Sequence, residues 1–188
     1  MSSGVHLFWI TSRAAGISAL LLASVSVSVG LTMSLRRGAR GPDLRVAHEA
    51  LSLATIAAIG LHGLALLADP WLNPGVAGVL VPFQIGYRPA AVAAGILAAY
   101  GLVALGLGYY ARSRIGPARW RRLHRWTALF WLLAVVHGFT AGSDATAPWF
   151  IVSVALVAAP GAVLLARRLG GAPRGASESP AVRNSLSF

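Results

Sequence analysis

Apolar residues run in five long stretches along this chain, over approximately residues 10–35, 47–69, 90–111, 121–141 and 147–166. Each holds about 20 residues or a little more, which at about 1.5 Å of rise per residue spans the roughly 30 Å hydrocarbon core of a bilayer. The pattern predicts an all-α integral membrane protein, a bundle of about five transmembrane helices. The first stretch does not read as a signal peptide, because its apolar run is too long and its arginine cluster follows it. Spans and short loops use up the length as far as residue 169, so residues 1–169 form one membrane domain. Residues 170–188, rich in Gly, Ser, Pro and Ala, read as a disordered cytoplasmic tail.

Composition agrees. The chain has 188 residues, 56% of them hydrophobic and only 11% charged, against about 25% charged in a soluble domain. The net charge of +11 invites a nucleic-acid reading, but the positions of the charges argue for no nucleic acid. All 16 basic residues are arginine, and most sit just beyond the ends of apolar stretches. Arg36, Arg37, Arg40 and Arg45 follow the first stretch, Arg112, Arg114, Arg119, Arg121 and Arg122 surround the start of the fourth, and Arg167 and Arg168 follow the fifth. The other connections carry only Arg88 or no arginine. The positive-inside bias then puts the N-terminus outside and the C-terminus in the cytoplasm, in a membrane crossed several times. Trp9, Trp71, Tyr87 and Trp149 would form the outer aromatic belt, and Tyr109, Tyr110, Trp120 and Trp126 the inner one. Residues 70–89, with four prolines, read as a partly buried outer loop capping the bundle. No internal repeat is evident. Gly101, Gly106 and Gly108 lie inside a span, where they suit close helix packing.

The candidate chemistry is in the histidines. His48 and His62 stand 14 positions apart in the second stretch, and His124 and His137 stand 13 apart in or beside the fourth. Either interval is roughly 20 Å along a helix axis. An imidazole in a bilayer is costly without a partner, so each is a functional residue by default. One histidine alone at an interface is often only a headgroup contact; four at matched heights on two helices ask for a common cause. Both helices run in the same direction under this topology. The natural pairs are His48 with His124 near the inner face and His62 with His137 near the outer face. Each pair can ligate one haem iron, giving two stacked b-type haems between the second and fourth spans. Fourteen positions come within roughly 40° of whole turns, so His48 and His62 share a face; thirteen fall about 140° away, so His124 and His137 do not share one on a straight helix. His6, ahead of the first span, reads as an ordinary surface residue.

With no cysteine in the chain, disulfides, iron–sulfur clusters and thiolate ligation are excluded. A metal centre must use His, carboxylate or Met33. Haem propionates need cationic donors: Arg45, Arg121 and Arg125 are the inner candidates, and Arg13 and Arg88 the outer ones. Phe130 and Trp131 lie between the two histidine heights and either fill the space between haems or pack the core. Asp43, Glu49, Asp69 and Asp144 form no general acid–base pair, and no serine shows a nucleophile elbow, so hydrolytic and transfer chemistry are not indicated.

The two histidine spacings, with the segments SRAAG, HGLALLADP, WRRLHRWT and VVHGFTAG, resemble the ferric reductase-like transmembrane domain family over roughly residues 8–168. That family includes the membrane parts of NADPH oxidases and ferric reductases and the haem-binding subunit of periplasmic methionine sulfoxide reductase. The quoted segments look like those of bacterial members, and the resemblance implies a bacterial plasma membrane, two b-type haems on His48, His62, His124 and His137, and transmembrane electron transfer to an outer-face acceptor, either ferric iron or a redox partner protein. Family members usually have six spans against five here, and the oxidases' flavin and nicotinamide domain has no counterpart. The expected donor is therefore a separate flavoprotein or membrane quinol, and the chain an oxidoreductase membrane subunit. Two other readings stay open: a quinol-oxidising cytochrome b subunit of a larger complex, and a non-haem metal or proton transporter or assembly factor using the same histidines.

Overall fold

The computed structural model describes residues 3–35 and 41–170, all in helices, turns or loops with no strand among them. The expected tail from residue 171 and the arginines at positions 36, 37 and 40 lie outside the described residues. The helices are α1 (Ser3–Leu35), α2 (Pro42–Leu67), α3 (Gly75–Leu80), α4 (Pro89–Leu107), α5 (Arg112–Ile115), α6 (Pro117–His124), α7 (Thr127–Ala141) and α8 (Pro148–Gly170). Proline opens α2, α4, α6 and α8. The first turn of a helix suits it, because its fixed φ is already helical and its missing N–H would have had no partner there.

Among the described residues, four helices are long and apolar enough to cross a membrane: α1 from Leu7, α2, α4 and α8. The protein is a multi-pass all-α membrane bundle. The expected fourth span is not one helix. Helical bonding is interrupted at Arg125 and Trp126, which divide α6 from a 15-residue α7. Two short-range bonds tighten the chain there, Trp126 N–H to Leu123 O and Leu129 N–H to Trp126 O, both 2.9 Å. Such 3₁₀-type turns add rise and rotation per residue.

α1 runs antiparallel to α2 along its length and also packs on α7 and α8, while α4 packs antiparallel to α7. The core sits around α1. Ala23, Val27, Leu31 and Trp131 form one buried cluster, and Leu20, Phe150 and Val154 another. Trp131 donates from Nε1 to Ser24 Oγ at 2.9 Å. Of the two aromatic residues between the histidine heights, Trp131 is thus core. Phe130 packs against α4, where its ring occupies the space a side chain at Gly101 would need. Outward-facing Leu64, Val152 and Leu156 are exposed, as the acyl-chain surface of a membrane bundle requires.

The connection after α2 folds back on the bundle, in keeping with a capping loop. Within it α3 lies against α2, Val79 faces Gly63, and the Tyr100 hydroxyl on α4 donates to Leu80 O. Trp71 and Phe83 in the same loop remain exposed.

Candidate functional site

The fold brings the four histidines together in the two expected pairs. The His48 and His124 ring centroids are 6.2 Å apart with planes at 87°, and those of His62 and His137 are 6.4 Å apart at 72°. The antiparallel hairpins α1–α2 and α4–α7 face each other through these rings. The interruption at Arg125 and Trp126 lies directly after His124, so the 13-residue interval is not carried by a straight helix.

Each imidazole is held from behind by a backbone carbonyl. The Nδ1 atoms of His48, His62, His124 and His137 lie 3.0, 2.8, 3.3 and 2.9 Å from the carbonyl oxygens of Ser26, Ser12, Leu105 and Ala91. A carbonyl can only accept, so each Nδ1 carries the proton and each Nε2 keeps its lone pair. The Ser26 and Ser12 hydroxyls also lie 3.1 and 3.0 Å from the Nδ1 atoms of His48 and His62.

This donor set fits haem iron. A metal about 2 Å from each Nε2, on the line between two rings, sets their centroids a little over 6 Å apart, about the spacing seen in both pairs. The sites supply two histidines each, and no group of three or more His, Cys, Asp or Glu side chains suited to a metal occurs among the described residues. Two imidazoles would suffice to hold an iron whose remaining ligands came with the cofactor itself. A second-shell acceptor on Nδ1 is the usual companion of a metal-bound histidine.

A cavity of about 610 Å³ opens beside the first pair, lined by His48, His124, Glu49, Met33, Tyr109 and Trp120, with Arg45, Arg112 and Arg121 among its walls. Arg45 and Arg121 therefore stand in the wall of a cavity beside this pair, where they would be available to anionic groups. Arg125 does not line the cavity, and Arg112, overlooked in the sequence, does. Glu49 accepts from the Tyr110 hydroxyl at 2.6 Å. Trp120 stacks on His124 with centroids 4.9 Å apart and planes at 25°. Its buried Nε1 has no hydrogen-bond partner among the described residues.

At the second pair, both expected arginines are near their histidines but already engaged. Arg13, next to Ser12, makes an ion pair with Asp144 through two nitrogens and lies over the Trp9 ring. Arg88 adopts a left-handed backbone, φ 42°, ahead of Pro89 and donates to Thr140 O at 2.5 Å, one turn beyond His137.

Sequence reasoning missed three glycines that touch the histidines. A Cβ on Gly16 would come 3.0 Å from His62 Nδ1, one on Gly30 would come 3.1 Å from His48 Cε1, and one on Gly95 would come 2.5 Å from His137 Nδ1. A signal was present: SRAAG at 12–16 and SVSVG at 26–30 repeat Ser-x-x-x-Gly at a 14-residue interval, the same as His48 to His62.

Comparison with the models of known families, with curated proteins and with solved structures finds no match.

Proposed function

We propose that this chain is a transmembrane electron carrier of the cytochrome b kind, in which His48 with His124 and His62 with His137 each hold one b-type haem. When bound, the haems supply one-electron redox chemistry at two heights in the membrane. The chain's residues do the rest. Backbone carbonyls fix the histidine tautomers and aim Nε2 into each site. Arg45, Arg112 and Arg121 offer donors to carboxylates in the cavity. The apolar helices exclude water between the two heights. The arginine-rich end is cytoplasmic and receives electrons from a separate flavoprotein or from quinol; the opposite end passes them to ferric iron or a redox partner protein. Membership of the ferric reductase-like group is part of this proposal.

The observation that carries it is the geometry of the four imidazoles, paired at 6.2 and 6.4 Å with every Nδ1 turned onto a carbonyl. The test is a reduced-minus-oxidised visible spectrum of the detergent-purified protein with a pyridine haemochrome assay. The expected result is a b-type alpha band and about two haems per chain, with His48→Ala and His62→Ala each removing about one. A colourless protein from haem-replete cells refutes the proposal and favours the transporter reading.

A further inference from the structure

Three of the four histidines reach a carbonyl that ought to be covered. In an α-helix the carbonyl of residue i already accepts the N–H of residue i+4, and the side chain of i+4 lies over that bond on its outer side. A second donor approaching the same oxygen must pass that side chain. Here the position is glycine each time: Ser12 O with Gly16, Ser26 O with Gly30, Ala91 O with Gly95. The fourth carbonyl, Leu105 O, lies in the last turn of α4, where the Tyr109 N–H bonds Gly106 O instead, so no glycine is needed to uncover it; its bond to His124 is the longest of the set at 3.3 Å. His124 instead takes support from the stacked Trp120 ring.

We infer that Gly16, Gly30 and Gly95 are positioning residues: they uncover helical carbonyls so that His62, His48 and His137 can dock Nδ1 on them and present Nε2 to the metal. The inference rests on the haem reading above. The antiparallel register makes two of the contacts one device used twice. Ser12 and Ser26 are 14 apart on α1, as are His62 and His48 on α2, so one helix face seats both rings. Without a Cβ the imidazole approaches the backbone itself, which only glycine permits. The carbonyl contact has a redox consequence. An Nδ1–H bonded to a carbonyl makes the imidazole a stronger donor, which favours the ferric state and keeps the midpoint potential low.

The clearances rank the substitutions. A methyl group at position 95 meets His137 at 2.5 Å, at 16 meets His62 at 3.0 Å, and at 30 meets His48 at 3.1 Å; at 60 nothing lies within 4 Å. Gly95→Ala, Gly16→Ala, Gly30→Ala and Gly60→Ala are made in the full chain and purified in detergent. Haem per chain is read by pyridine haemochrome, and potentials by redox titration of the alpha band. Gly95→Ala is expected to lose the haem of the His62/His137 site, halving the haem count. Gly16→Ala raises the potential of that haem, and Gly30→Ala raises the potential of the other. Each variant leaves the second haem as wild type, which also reports that the bundle has folded. Gly60→Ala matches wild type throughout. Should Gly95→Ala fail to accumulate, the two milder variants and their opposite site assignments decide the matter.

Wild-type protein without haem overturns both this inference and the proposed function. Wild-type protein with both haems, but with a series that is flat or does not separate by site, overturns the inference alone.

Discussion

Trp131 and Ser24 offer a measurement of what holds α7 to α1 that is independent of any cofactor. Each is 1% exposed, and the Trp131 N–H donates to Ser24 Oγ at 2.9 Å. Ser24 in turn donates to Leu20 O at 2.7 Å, so its hydroxyl is used in both roles. In Ser24→Ala the Leu20 carbonyl keeps its helical bond, but the indole N–H is left alone in an apolar core. A buried unpaired donor costs about 1–3 kcal/mol, and at about 2–4 °C per kcal/mol for a chain of this size Tm should fall by about 2–12 °C. Trp131→Phe removes the N–H and some volume beside Ala23 and Val27, and it destabilises through lost packing. The two changes should not add. With no indole to orphan, Ser24→Ala in the Trp131→Phe background should cost under about 0.5 kcal/mol, within the scatter of independent sites. Thermal unfolding of the four proteins, followed by far-UV circular dichroism in one detergent, completes the cycle. Equal Tm losses for Ser24→Ala in both backgrounds would refute the reasoning.

Other outcomes follow from the same contacts. Asp144→Ala strands the Arg13 guanidinium; with side chains 34% and 10% exposed, the loss should be about 1–2 kcal/mol, below that of a fully buried pair. The double change Arg13→Met with Asp144→Leu should recover most of it in the same unfolding assay. Gly101→Val drives a side chain into the Phe130 ring and should destabilise by about 1–3 kcal/mol or more, with Phe130→Ala as the compensating change; an unaltered Tm would mean that α4 and α7 do not meet there. Trp120→Phe keeps a ring against His124 but removes the orphaned N–H. A buried donor without a partner costs about 1–3 kcal/mol, so its removal should offset the lost packing and leave Tm close to that of wild type; a clear fall in Tm in the same assay would show that this N–H is satisfied.

Much of the site was legible in one dimension. The intervals of 14 and 13 residues put the imidazoles at two heights, and the direction of the spans chose the pairs. Rise per residue is a constant of the helix, so heights survive without knowledge of neighbours. Rotation does not. Thirteen residues miss a whole number of turns on a straight helix, and the interruption at Arg125 and Trp126 is a tertiary answer to that mismatch. Arg13 illustrates the same limit. Its place near the start of a span marked it as unusual, but its partner, Asp144, is 131 residues away.

The sequence by itself determined that this is a membrane bundle, where four of its apolar helices run, and which histidines share a height. Those properties depend on composition and on distance along a helix axis, both of which are additive along the chain. The tertiary structure decided which side of each helix meets which neighbour. It put Trp131 in the core and Phe130 on Gly101, gave Arg112 to the cavity, and seated three histidines on carbonyls bared by Gly16, Gly30 and Gly95. Contacts of that kind turn on a few tenths of an ångström between close-packed helices, and no periodicity along one helix encodes the surface of another.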